Sequence, residues 1–554
     1  PYVETRMASS TIGSVFAKVD ASGLSGRGKG GIEEAMDSIL RGKPGIGFRQ
    51  KIRNRFTDVT VSQPINGANV HTTINIEMQN ILDEALAKRI LELRAHGGWA
   101  AIIECKTGKI KAISNLERIS DTECAEDHNH LFEDLVDPGS TFKTVSYMIL
   151  LDNDKITPET IVNTGNFENA RGEFIYHGQH IRDDHPVGIV TADEAMVQSS
   201  NISLAKLTTQ AYEKDPQAYL DAIEKINLLS DRVLSDSDKV EIKRLGYLSN
   251  LELRKEFPKA QAARHRQMSG RWSKVSLAQI SYGYETQIPG IYLLQFYNAI
   301  ANNGKMMRPY IVDYIEKDGE VLWEQEPTVI NPQICKETTL KNVRHALEGV
   351  VERGTAAGKP WLPGAKSEKV KIAGKTGTAQ RFNPVTKTYS GAGHNVSFAG
   401  YFPADNPEYC GIVVIDARPG GNFGRPGGGY MAGPVFKSFA EQIWAIRCNK
   451  SLDDIVPDTL HQLTPKVKAG PLAVTGKILS ALNLDTVKFS SVELDNANAN
   501  RMPDVKGMGA SDALYKLESL GLRVRISGKG AVVSQSIAAG SACRKGDYVS
   551  LTLK

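Results

Sequence analysis

The pattern that most narrows the fold is a change of hydrophobic period that occurs twice. From Ile76, the residues Met78, Ile81, Leu82, Ala85, Leu86 and Ile90 recur at helical spacing, one stripe of a long amphipathic helix. The period then switches, and residues 99–105, Lys106-Thr107-Gly108 and 109–113 read as strand, tight turn, strand. Residues 140–355 read mainly as helix, with Thr191-Ala192-Asp193-Glu194 forming a capping box. Strand patterns return at 370–381, 395–401 and 409–416. Pro434 then opens a last helix with Val435, Phe436, Phe439, Ala440 and Ile443 on one face. One antiparallel sheet that takes strands from both sides of the helical stretch is the economical packing. The pattern predicts an α+β multidomain chain built on a five-stranded antiparallel sheet, with helices on both faces plus a helical subdomain.

The flanks read differently. Residues 1–66 are rich in glycine and basic side chains, with a short helical pattern at 32–40. Residues 449–495 are polar and proline-punctuated, with one helical stretch near 474–484. From Met502 a small α/β unit is expected, with a helix at 512–520 and strands at 522–526, 531–536 and 548–553. The expected divisions are therefore 1–66, 67–448, 449–495 and 496–554. With 67 basic against 63 acidic side chains, the net charge of +4 is too small for an electrostatic grip on nucleic acid. No apolar run approaches the ~18 residues of a membrane span. Residue 1 is proline, so the chain is expected to be the soluble portion of something longer, with an anchor upstream. The cysteines Cys105, Cys124, Cys335, Cys410, Cys448 and Cys543 show no CxxC spacing, which argues against zinc-ribbon and thioredoxin chemistry. Cys105 and Cys410 sit in apolar runs and are expected to be buried.

Asp137-Pro138-Gly139-Ser140-Thr141-Phe142-Lys143 places a serine at a turn into a helix, with a lysine one helical turn later. An activated alcohol needs such a base, whose pKa burial can lower toward neutrality. Taken alone, a helix-capping serine explains the same residues. Ser199-Ser200-Asn201 follows the capped helix and offers a hydroxyl and an amide two residues apart, although a polar helix end explains it equally well. Lys375-Thr376-Gly377-Thr378 lies in a strand pattern, where glycine lets a ligand backbone lie along the edge and free N–H groups can bind an oxyanion. A P-loop is excluded because no Gly-x-x-x-x-Gly-Lys precedes Thr376.

The ordered triplet S-x-x-K, S-x-N and K-T-G resembles that of penicillin-binding proteins and class A β-lactamases. The chain is similar over nearly its whole length to class B, monofunctional penicillin-binding proteins. Thr11–Val15, Gly30–Glu33 and Leu40–Gly42 resemble their pedestal segments. Thr72–Ile74 with Gln79, Ala301–Gly304, Val350-Val351 with Gly354-Thr355, and Phe398–Pro403 resemble further segments of the transpeptidase domain. Residues 503–507, Gly521, Val533-Ser534-Gln535, Gly540 and Gly546 resemble a PASTA domain, which favours the division-type, FtsI-like branch. The resemblance makes 1–66 a partial pedestal, 67–448 the D,D-transpeptidase domain, 449–495 a linker and 496–554 the PASTA domain.

It implies a peptidoglycan transpeptidase working through an acyl-serine. Ser140 is then the nucleophile, Lys143 the base, and Ser199 a proton relay. Asn201, Lys375, Thr376, Gly377 and Thr378 hold substrate, and the backbone N–H groups of Ser140 and Thr378 form the oxyanion hole. The implied partners are stem peptides ending in D-Ala-D-Ala, β-lactams, a glycosyltransferase and other division proteins. The implied location is the cell envelope, anchored in the inner membrane with the catalytic domain outside the cytoplasm. No cofactor and no metal are expected. Ser200 departs from the aspartate that β-lactamases carry there. Two other readings compete: a serine β-lactamase, disfavoured by the multidomain layout, and a catalytically silent wall-binding scaffold. His177, His180 and His185 read as a polar hairpin rather than a metal site, His128-Asn129-His130 is ambiguous, and Pro419–Gly429 is a glycine-rich loop.

Overall fold

In the computed structural model the described residues are 7–20, 23–52, 55–165, 172–226, 264–265, 273–381, 391–452 and 500–554. They fall into two compact units, residues 1–451 and 452–554. The expected linker and the helical stretch near 474–484 lie outside the described residues.

The central sheet of the first unit has the order Ala373–Gln380, His394–Phe402, Tyr409–Ala417, Gly97–Glu104, Ile110–Arg118 and Cys124–Glu126, antiparallel throughout. The five expected strands are all present. A sixth of three residues adds to the edge, too short and too polar in its surroundings to show a period. Strand alternation explains why both faces carry helices. Trp99, Ala101, Ile103, Ile412 and Tyr401 enter one core with the helices Lys143–Asp152 and Gly290–Ala301. Ala100, Ile102, Val413, Ile415 and Phe398 enter a second core. That core is completed by Leu82, Leu86 and Ile90 of Ile76–Leu93 and by Phe436 and Phe439 of Gly433–Leu452.

Between the strand blocks the chain is less helical than its pattern suggested. Ile161–Asn163 pairs with Ile189–Thr191, and Glu173–Tyr176 with Gln179–Arg182. The second pair is the polar hairpin expected around His177 and His180, and His180 Nδ1 lies 2.9 Å from Glu173. Near the N-terminus, the helical pattern at 32–40 resolves into Gly31–Ala35 and Asp37–Leu40. Two hairpins, Ser14–Asp20 with Gly23–Lys29 and Ile46–Ile52 with Arg55–Ser62, escaped the sequence reading because glycine and charge interrupt their alternation. Among the described residues no helix is long and apolar enough to cross a membrane.

The second unit packs Ala510–Glu518 on a three-stranded sheet in which Arg523–Ser527 runs parallel, and Val532–Gln535 antiparallel, to Tyr548–Leu553. Leu517, Ala513, Val549 and Leu551 fill its core. A core this small tolerates little loss. Leu517→Ala is expected to cost about 2–5 kcal/mol, most of the stability of such a unit. The amide spectrum of residues 500–554 should collapse to the dispersion of an unfolded chain.

Candidate active site

Ser140 stands in a single 3-10 turn, Gly139–Phe142, which runs directly into the helix Lys143–Asp152. Gly139 is left-handed (φ +57°), and its N–H donates to Gly283 O at 3.0 Å. Gly283 is also left-handed (φ +93°), and a Cβ there would sit 1.9 Å from Gly139 O. The turn therefore rests on backbone that admits no side chain. Among the described residues, the Ser140 hydroxyl makes no hydrogen bond and faces a cleft of about 630 Å³. Asn201, Thr378, Gln380, Tyr284 and Glu285 are among the residues lining that cleft.

The S-x-N segment sits at a break between helices. Ala192–Val197 ends, Ser199 takes a left-handed conformation (φ +58°), and Ser200 N-caps Asn201–Tyr212 through Ser203 N. A non-glycine residue in that region costs of order 1–3 kcal/mol, a strain typical of functional sites. It aims the Ser199 hydroxyl at two lysines. Lys143 Nζ donates to Ser199 O at 2.5 Å and lies 3.2 Å from Ser199 Oγ, while Lys375 Nζ donates to Ser199 Oγ at 2.7 Å. Asn201 projects into the cleft, its Nδ2 held by Arg182 O at 2.8 Å. Asp183, which sequence reasoning missed, fixes this segment. It accepts from Ser200 Oγ at 2.8 Å, Asn201 N at 2.5 Å and Ile202 N at 3.1 Å. A carboxylate thus stands beside Ser200 although the motif carries none, placed at the positive end of a helix.

The K-T-G strand is the open edge of the sheet. Arg381 N donates to Gly393 O across the sheet, whereas Gln380 N donates outward to Tyr284 Oη at 3.4 Å. Alternation in an antiparallel ladder then points the Thr378 N–H outward as well, into the cleft. Gly377 faces the Ser140 turn, where a Cβ would meet Ser397 Oγ at 2.1 Å and Thr141 Cγ2 at 3.0 Å. Lys375 and Thr376 do not reach the cleft. Lys375 is fully buried behind Ser199, and Thr376 bonds Thr355 Oγ1 at 2.7 Å.

Burial sets the electrostatics. Desolvation lowers Lys143 to about 8 even though Asp183 and Asp184 oppose the shift. Desolvation, then the neighbouring Lys143, holds Lys375 well below its ordinary value. Beside the Ser140 turn, burial and the nearby Glu285 push Asp137 up to about 8. Glu194 is engaged in its cap, with Gln198 Nε2 at 2.7 Å and Arg353 Nη2 at 3.2 Å. The glycine-rich loop does border the site. Arg425 pairs with Asp184 at 2.5 Å, and Gly428 packs so closely that a Cβ would lie 2.5 Å from Gly377 O.

Residues 98–441 match the penicillin-binding protein transpeptidase domain, well over half of the chain. The chain belongs to the penicillin-binding protein transpeptidase family. Residues 500–554 match the PASTA domain. Curated relatives include penicillin-binding protein PbpB of Mycolicibacterium smegmatis, 25% identical over 438 residues, spanning 75% of this chain and 61% of that one. Peptidoglycan D,D-transpeptidase FtsI of Escherichia coli K12 is 24% identical over 432 residues, spanning 76% of this chain and 63% of that one. The chain thus spans less than two thirds of these relatives' length. Among solved structures, penicillin-binding protein 3 of Mycobacterium tuberculosis superposes with a TM-score of 0.62 at 22% identity, covering 81% of this chain and 90% of that one. Penicillin-binding protein 2X of Streptococcus thermophilus gives 0.64 at 18% identity, covering 99% and 82%. Both show the same fold.

The contact between Gly283 and Gly139 generates a prediction. Gly283→Ala should destabilise the transpeptidase unit by about 1–3 kcal/mol through overpacking. It should also slow acylation by a β-lactam on the order of a hundredfold, because the Ser140 turn must move. A thermal melt and stopped-flow acylation of the same variant separate the two effects.

Proposed function

We propose that the chain is a peptidoglycan D,D-transpeptidase acting through an ester on Ser140, in septal wall synthesis at the outer face of the inner membrane. The observation that carries this reading is the convergence of three distant sequence elements. Among the described residues, a serine hydroxyl without a hydrogen bond and a cleft-facing strand N–H meet at one opening, and a buried lysine pair bridged by Ser199 joins the helix after Ser140 to that strand. The substrate is a stem peptide ending in D-Ala-D-Ala, with β-lactams as covalent inhibitors, and a glycosyltransferase and other division proteins as partners. The place of each residue supports the role given to it here.

Neutral Lys143 takes the Ser140 proton as Oγ adds to the carbonyl carbon of the penultimate D-Ala. With its value near 8, on the order of a tenth of Lys143 is neutral at pH 7. Hydrogen bonds of this kind tighten when substrate enters, so the absence of a Ser140–Lys143 bond in the free cleft is compatible with that role. The N–H groups of Ser140 and Thr378 bind the oxyanion. Ser199 carries the proton from Lys143 to the leaving amine of the terminal D-Ala, and an acceptor amine later displaces the ester. The Asn201 carbonyl accepts from the donor amide. The Thr378 hydroxyl meets the terminal carboxylate, while Lys375 supplies field and orientation from behind Ser199. Thr376 and Gly377 shape the strand on which this depends.

Glu285 is the glutamate lining the cleft, and it gives a β-lactamase reading its candidate base for hydrolysis. Adduct lifetime separates the two. Labelled penicillin should bind at one equivalent, map to Ser140, vanish in Ser140→Ala and persist for many minutes, as a deacylation barrier of about 22 kcal/mol requires. The acylation rate should climb about tenfold per pH unit below 8 and level above it, because only deprotonated Lys143 accepts the proton. Label lost within seconds, with recovery of free enzyme, would instead establish a β-lactamase. No label at all would leave the scaffold.

A further inference from the structure

Outside the cleft, the segment that leads to the Ser140 turn carries an unusual side-chain cluster. Asp127, His128, His130 and Asp134 lie between the edge strand Cys124–Glu126 and Asp137. Asp127 Oδ2 is 3.2 Å from His128 Nδ1 and 3.3 Å from His130 Nε2. The opposite ring nitrogens meet a single second carboxylate, His128 Nε2 at 2.9 Å from Asp134 Oδ1 and His130 Nδ1 at 2.7 Å from Asp134 Oδ2. Two imidazoles therefore present four nitrogens to carboxylate oxygens. Neutral rings bring only two N–H hydrogens to those four contacts. The shorter pair, to Asp134, is where the hydrogens belong. With both rings neutral, two nitrogen lone pairs face Asp127, where a divalent cation can take the place of the protons that would otherwise sit there.

The spacing agrees. Ligands about 2.0–2.1 Å from a tetrahedral ion stand roughly 3.3 Å apart, the separation seen from Asp127 Oδ2 to each histidine. A carboxylate on the far nitrogen is the usual outer partner of a metal-bound histidine, because it fixes the tautomer and raises the basicity of the ligand. Here one carboxylate serves both rings. The cluster is open to solvent, with His128 42% and Asp127 36% exposed, and His130 19%. Asp127 and His128 line two clefts, of about 570 and 460 Å³, from which an ion can enter.

We propose that Asp127 Oδ2, His128 Nδ1 and His130 Nε2 bind a divalent ion of the zinc class, with Asp134 as their shared outer carboxylate. The N,O donor set suits zinc, cobalt or nickel rather than calcium or magnesium. The ion's place is structural. Neighbouring residues tie the N-terminal segment to this loop, through Ser9 N on Glu126 at 2.9 Å and Asn129 Nδ2 on Thr11 Oγ1 at 3.1 Å. The Val136 carbonyl, between the cluster and Ser140, receives Ile288 N at 3.0 Å. An ion here would brace the joint from which the Ser140 loop departs. The proposal does not depend on the acyl-transfer reading.

The test titrates the metal-stripped full chain with zinc chloride, and in parallel with cobalt chloride. One equivalent of zinc should bind and raise the melting temperature. The cobalt spectrum should be that of nitrogen and oxygen ligands, without the thiolate charge-transfer band that the nearby Cys124 would contribute. Binding should be lost in a His128→Gln/His130→Gln variant and kept in a His177→Gln/His180→Gln/His185→Gln variant. Asp134→Asn should weaken it by about 10–100-fold. If the double variant does not fold, Asp134→Asn and the cobalt spectrum still decide. No bound zinc, a thiolate band, or equal affinity in Asp134→Asn would overturn the proposal.

Discussion

Two lysine side chains, both fully buried, share one serine hydroxyl, and the rest of the site follows from that arrangement. A buried ammonium has lost its water, and a second one beside it adds repulsion, so the pair favours losing a proton near neutral pH. Three pieces of backbone hold the pair in place. The helix that begins at Lys143 brings one amine, the sheet's edge strand brings the other, and the left-handed Ser199 sets the hydroxyl between them. Asp183 and Asp184 supply opposing charge to Lys143, which keeps its shift moderate.

An exposed sheet edge is ordinarily a liability, since unpaired N–H and C=O groups invite another strand. Here the open edge is the surface we propose for binding. The Thr378 N–H points into the cleft, the Gly377 backbone lies against the Ser140 turn, and Gly428 closes the strand from the other side. Thr376, turned away, is tied to Thr355. A ligand laid along this edge meets fixed donors and displaces no structure.

Much of this was legible in the sequence, and the reason differs from element to element. The helix Ile76–Leu93 announces itself because it buries one periodic face, and the central strands, buried on both faces, read as short apolar runs bounded by turn residues. Ser140, Asn201 and Thr378 were singled out because the ordered triplet of their motifs resembles that of penicillin-binding proteins; each motif alone reads equally as a helix end or a plain strand. Side-chain direction was not legible. The resemblance makes Lys375 a substrate-binding residue, yet its amine lies behind Ser199, a placement set by the helix break between Val197 and Asn201 and not by strand parity. Asp183, Tyr284 and Glu285 join the site through tertiary folding alone, with no spacing to mark them. The N-terminal hairpins escaped because glycine and charged residues interrupt their alternation, and the apolar side chains Phe48, Phe56 and Val61 stay exposed and join no core.

The central claim is that one buried lysine of this pair is the base. Its most direct measurement is a carbon-13 NMR titration of the lysine Cε resonances, with the Lys143 signal assigned by its loss in Lys143→Met. The account predicts a resonance that titrates near 8 and disappears in that variant. If every lysine Cε of the folded protein titrated at the ordinary value of about 10.4, Lys143 would be charged at working pH and the account contradicted.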